Sequence, residues 1–153
     1  MKLNTWSGLQ RAKTAAEEFS KKFPYPYLNG VFNVDVTGEY ISDSKNVHFG
    51  YLVNGGKDLK YVQYLQVPGT EDSYDLTIWG DKNIRAYENT SSGWGLANSK
   101  FLLECWLEIQ NVEYSMFCRN LSDSFGCVGL RNKKYCILNR QYSKGEYEIV
   151  RKK

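Results

Sequence analysis

The sequence has no CxxC pair, a single histidine and no apolar run that approaches the roughly 18 residues of a membrane span. Each absence removes a class of protein. Without paired cysteines there is no zinc ribbon and no dithiol redox motif. The four cysteines, Cys105, Cys118, Cys127 and Cys136, read as buried free thiols, because no secretory signal accompanies them. His48 has no His or Cys at ligand spacing and reads as a solvated residue between turn and strand, so no metal is assigned. A Cys127–His48 nucleophilic dyad would join groups far apart in the chain. No apolar signal core follows Lys2, so the expected setting is the cytoplasm or a virion, without a membrane. Gly55-Gly56-Lys57 lacks the rest of a phosphate loop and no helix follows it; a tight turn accounts for it, and no cofactor is assigned. Net charge is only +3, from 20 basic and 17 acidic residues, and the basic residues gather only at Arg151–Lys153. That is no electrostatic footprint for nucleic acid.

Aromatic residues are abundant at 15%, with Tyr 12, Phe 7 and Trp 4, and Gly 13 signals many turns. The 153 residues fit one domain. Three texture zones divide it: an N-terminal helix and Pro-containing linker (1–29), a β-rich body (30–140), and a C-terminal cap with a basic tail (141–153). Residues 8–23 carry Leu9, Ala12, Ala16, Phe19 and Phe23 at helical spacing, and Pro24 and Pro26 end the segment. This helix is expected to cap or pack against the body. Ser143 followed by Glu146 forms a capping box, which predicts a short helix over 143–150 weakened by Gly145.

Between the helices an Asn or Asp, two variable residues and an aromatic recur: NVHF at 46–49, DLKY at 58–61, NSKF at 98–101, NVEY at 111–114 and NKKY at 132–135. With Asn46, Asp58, Asp72, Asn83, Asn98, Asn111, Asn120 and Asn132 as anchors, the steps are 12, 14, 11, 15, 13, 9 and 12 residues. Asn and Asp tolerate left-handed backbone angles and close turns, and a short strand with an inward aromatic or aliphatic side chain can follow each. Stacked, such units pair strand on strand and bury a continuous core. The chain therefore reads as mainly β, a parallel β-helix-like solenoid. Two steps make a coil of about 24 residues, four coils fit between residues 40 and 140, and the body is on the order of 20 Å long. A β-sandwich is the alternative, since it also places strands at this spacing.

The segment FGCVGLRNKKYCILNRQYSKGEY, residues 125–147, resembles the closing repeat of an uncharacterised family of Asn-, Cys- and Tyr-rich repeat proteins found in candidate-phyla bacteria and large bacteriophages. The likeness is dense over 98–147 and thinner from about residue 39. It implies a β-solenoid and carries no activity across. Members of that family are often longer, with Cys-pair segments resembling zinc ribbons. This chain lacks those pairs, which argues against a metal-linked or nucleic-acid role and fits a shortened stand-alone variant.

Two carboxylate groups, Glu71/Asp72/Asp75 and Glu104/Glu108, contain the residue type a glycosidase pairs, yet acids on a solenoid surface serve mainly solubility. No catalytic residue is assigned. Too many aromatics are present to fit inside a narrow solenoid. Trp79, Trp94, Trp106, Tyr61, Tyr64 and Tyr87 are the candidate binding face, with Tyr51 and Tyr114 nearby. The expectation is a non-enzymatic structural or interaction module that meets a protein partner or its own copy. A phage or virion setting is implied by the resemblance, and a carbohydrate-binding or carbohydrate-cleaving solenoid is the alternative.

Overall fold

The computed structural model describes residues 3–80 and 83–152. Helix α1 (Trp6–Ser20) precedes strands β1 (Gly30–Val31), β2 (Val34–Ser42), β3 (Lys45–Asn54), β4 (Lys57–Leu65), β5 (Glu71–Thr77) and β6 (Ile84–Thr90). Strands β7 (Ala97–Leu103), β8 (Gln110–Met116), β9 (Arg119–Phe125), β10 (Arg131–Ile137) and β11 (Arg140–Gln141) follow, and helix α2 (Lys144–Arg151) closes the chain. The strands pair in sequence order, and every pair but β10–β11 is parallel. Sequential parallel pairing leaves no second layer, so the sandwich is excluded and the body is a β-solenoid of about nine turns.

The coil is built on a period of three. From the start of β3 to the end of β4 the buried residues are Val47, Gly50, Val53, Gly56, Leu59, Val62 and Leu65, and each follows a residue with positive φ: Asn46, Phe49, Leu52, Gly55, Asp58, Tyr61 and Tyr64. A left-handed residue bends an extended chain sharply, so each triplet makes one flat side and aims the next side chain at the axis. Four triplets close a coil of 12 residues, as in the register Lys45↔Lys57. One anchor step is therefore a whole coil. The expected coil of about 24 residues is halved, and the body reaches on the order of 40 Å at ~4.8 Å per coil. The step of 9 between Asn111 and Asn120 is three triplets, a move to a neighbouring corner: Asn111 Nδ2 donates to Asp123 Oδ1 at 2.9 Å, and Asn120 Nδ2 to Asn132 Oδ1 at 2.8 Å.

Four inward columns run along the axis. One holds Val47, Leu59, Ser73, Ala86, Ser99, Val112, Ser124 and Cys136, joined by register or by cross-coil hydrogen bonds. Each coil mixes large and small residues, such as Ser99, Leu102, Cys105 and Ile109, all at most 3% exposed. A ring would overfill so narrow a bore. The aromatics accordingly do not point inward, contrary to the sequence expectation. Phe49, Tyr61 and Tyr114 stand outward at the corners, exposed.

Wider coils carry an added residue in one wall. Trp106 pairs with Arg119 and Gln110 with Ser122, so four steps on one coil face three on the next. Leu107 is the additional residue there, and Trp94, in the coil before, lies between the same inward columns.

The two ends differ. At the C-terminal end Lys133 occupies the position where an inward apolar residue would sit, remains exposed, and donates to Gln141 Oε1 at 3.2 Å. Side-chain amides replace the missing next coil: Asn139 accepts from the Val128 N–H at 2.8 Å and donates to its carbonyl at 3.0 Å, and Gln141 donates to the Lys134 carbonyl. Such satisfaction of an open strand edge blocks further stacking. Helix α2 starts at the foreseen capping box. It lays Tyr147 over Tyr135, while Arg151 donates to Glu113 at 2.6 Å. Helix α1, by contrast, makes no contact with any strand among the described residues. It does not cap the solenoid, because Pro24 and Pro26 hold the linker extended and carry the helix away from the first coil.

Candidate interaction surface

The outward side chains sort by side. Between the Asn/Asp corner and the fourth inward column run Lys45, Lys57, Glu71, Ile84, Ala97, Gln110, Ser122 and Lys134 in register. This side is polar and cross-linked. Lys57 lies 3.7 Å from Glu71, Arg85 lies 3.6 Å from Asp72, and Asn46 donates to Asp58 at 2.7 Å. Exposed pairs of this kind add little stability and keep the side wet.

The next edge is aromatic. Phe49 stacks on Tyr61 with centroids 5.1 Å apart, Tyr87 meets Phe101 at 5.6 Å, Phe101 stacks on Tyr114 at 4.5 Å, and Tyr114 meets Phe125 at 5.3 Å. The spacing follows from the coil rise, which brings corner side chains into ring contact. Beyond this edge lies an apolar strip, Leu103, Met116 and Val128, in register and between 38% and 49% exposed, with Phe117 beside it. The indoles follow. Trp79 sits 6.3 Å from Trp94 and 6.2 Å from Trp106, edge to face. Trp106 Nε1 donates to Glu104 at 3.1 Å. Trp94, Trp106, Leu107 and Arg119 line a shallow cavity of about 200 Å³. Among the described residues no partner reaches the buried Trp79 Nε1.

The structure thus gathers Trp79, Trp94 and Trp106 into one patch. It places Tyr61 and Tyr87 on the separate aromatic edge and Tyr64 at the corner between them. The period-three pattern, which would have separated inward from outward aromatics, is the signal that sequence reasoning missed; Leu103, Met116, Phe117 and Val128 went unmarked for the same reason.

The remaining candidates resolve simply. All four thiols are at most 1% exposed. Cys105 and Cys118 share a column one coil apart, but Cys127 and Cys136 enter successive columns, because their spacing of nine is three triplets. Cys118, Cys127 and Cys136 therefore do not form a single stack. Burial pushes the Cys127 and Cys136 thiols above their ordinary range. His48 is partly exposed beside Asn46 Oδ1 at 3.0 Å and lies far along the axis from Cys127. Asp72 and Asp75 occupy consecutive corners, and Glu71 and Asp72 are held by Lys57 and Arg85. No group of three or more His, Cys, Asp or Glu able to hold a metal occurs among the described residues. No helix of the described residues is long and apolar enough to cross a membrane. No family model, curated protein or solved structure matches the chain.

Proposed function

We propose that the chain is a non-enzymatic interaction module, a rigid solenoid that presents one lateral side to a protein. The sidedness of its surface carries this reading. From the aromatic edge through Leu103, Met116 and Phe117 to the indoles, apolar groups run around the later coils with Glu104, bonded to Trp106 Nε1, as the acid among them, while the opposite side is an Asn/Asp and ion-pair lattice. A contiguous apolar surface of this extent marks a docking site, and four-sided walls pinned by cross-coil hydrogen bonds hold it preformed. The resemblance of residues 125–147 to phage and candidate-phyla repeat proteins supports a virion-associated or cytoplasmic setting. A photo-cross-linking residue at Met116, in cells that make the protein, is expected to capture a protein, and the same residue at Arg85 is not. Absence of any adduct at Met116 would remove the reading.

A carbohydrate-binding reading has one observation in its favour, the cavity floored by Trp94 and Trp106 with Arg119 at its rim. Indole faces stack on sugar rings. The aromatic edge gives no such platform, since Phe49 covers Tyr61 at an interplanar angle of 16° and Phe101 covers Tyr114 at 23°. Titration with a panel of soluble polysaccharides is expected to shift the tryptophan fluorescence of the protein but not of Trp94→Ala. A panel without any response ends this alternative.

A further inference from the structure

A second, separate surface lies at the N-terminal end. Leu9, Ala12, Ala16, Phe19 and Phe23 recur at steps of 3, 4, 3 and 4, one stripe along α1 and its C-terminal extension. Leu9 is 50%, Phe19 61% and Phe23 57% exposed, and Trp6 at the helix start is 76% exposed. A helix of 15 residues without tertiary contact is marginal in water, so this stripe needs a cover. The first coil is equally bare: Val31 is 58%, Phe32 85% and Val34 60% exposed.

The two surfaces are complementary. Residues 3–29 carry Arg11, Lys13, Lys21 and Lys22 against Glu17 and Glu18, while residues 30–44 carry Asp35, Glu39 and Asp43 and no base. An apolar stripe flanked by cations therefore matches an apolar patch whose own segment is acidic, with Lys45 of the next coil in register beside Val34. The linker decides whose patch it is. Residues 21–29 include Pro24 and Pro26, which hold the chain extended, and Tyr25 and Tyr27 within it are 75% and 91% exposed, seated on nothing.

We infer that α1 docks on the first coil of a second copy, each chain lending its helix to the other. Reciprocal exchange makes every contact twice. That brings the buried surface to on the order of 1,500 Å², the class of stable specific interfaces. It also leaves the C-terminal ends, closed by Asn139 and Gln141, outside the contact.

Sedimentation of the full chain in reducing buffer tests this. The wild-type protein is expected to be a dimer. Phe19→Glu, which spoils the helix, and Phe32→Glu, which spoils the coil, are each expected to weaken it at least about 100-fold. Both residues are exposed, so the thermal transition of each variant should match that of the wild type diluted until it is monomeric. An equal mixture of the two variants is expected to associate more tightly than either alone but less tightly than the wild type, because one of the two exchanged contacts pairs an intact helix with an intact coil. A wild-type monomer at all concentrations overturns the exchange, as does a mixture that associates no better than either variant alone. Loss of the dimer in Phe19→Glu but not in Phe32→Glu also overturns it, since that is the mark of helix pairing with helix. The lateral side is untouched by these substitutions, so the Met116 cross-link stands or falls by itself.

Discussion

Ile109→Ala is expected to destabilise the protein by about 3 kcal/mol and lower its melting temperature by roughly 6–12 °C. Ile109 is fully buried and lies in one inward column between Leu96 and Leu121, both also 0% exposed. Removing its branched chain leaves a cavity that the walls cannot close, because each corner is set by a left-handed residue and each side is hydrogen-bonded to the coils above and below. Position along the axis modulates the cost. In a solenoid each coil touches only its neighbours, so a gap in the middle splits the stack, whereas a gap at an end frays one coil. Val36→Ala, in the first and partly buried coil, is therefore expected to cost under about 1 kcal/mol. Urea unfolding of both variants in reducing buffer makes the comparison. Equal losses would refute the picture of a one-dimensional stack.

The architecture was legible in the sequence because Asn and Asp mark the corners. Asn46, Asp58, Asp72, Asn98 and Asn111 are left-handed residues of one corner, and their chemistry announces the turn in any fold. The coil length was not legible from them. At the position equivalent to Asn98 one coil earlier stands Arg85, also left-handed at φ 56°, so the eye passes to Asn83, which is an inward residue, and the true step of 13 is read as 11 and then 15. Three of the four corners, moreover, accept Phe, Tyr, Leu or Trp in the left-handed conformation, among them Phe49, Leu52, Tyr61 and Tyr114. Local preference opposes such residues there, and only the closed stack of parallel ladders makes the conformation tolerable. An apolar residue at a corner and an apolar residue in the bore look alike in the sequence, which hides both the period of three and the apolar strip Leu103–Met116–Val128. The capping box at Ser143 was legible because it is local. The detachment of α1 was not, since an amphipathic stripe states that a helix is covered without stating by what.

The inward serines explain the cysteines. Ser115 Oγ donates to the Glu113 carbonyl at 3.0 Å and accepts from the Cys127 N–H of the next coil at 3.0 Å. Ser99 makes the same pair of bonds to Ala97 and Val112, Ser124 to Ser122 and Cys136, and Ser92 to Thr90 and Cys105. The hydroxyl thus connects consecutive coils from inside the bore, where no water can substitute. Ser115→Ala strands the buried Cys127 N–H, while the Glu113 carbonyl keeps its bond from the Gly126 N–H, and is expected to cost about 1–3 kcal/mol although it removes a single atom. The cysteines stand in the same columns and keep half of this chemistry: Cys127 Sγ donates to the Phe125 carbonyl at 3.4 Å and Cys118 Sγ to that of Met116 at 3.3 Å. A thiol fills more of the bore than a hydroxyl while still satisfying the carbonyl two residues back, so burial and not redox chemistry sets its identity. Cys127→Ser should then change stability by less than about 1 kcal/mol, since the hydroxyl restores a stronger bond for a slightly smaller volume. Chemical denaturation of the two single variants decides the matter. If Cys127→Ser proves as damaging as Ser115→Ala, the thiol does something in this column that an inward hydrogen-bonding group of similar size cannot do.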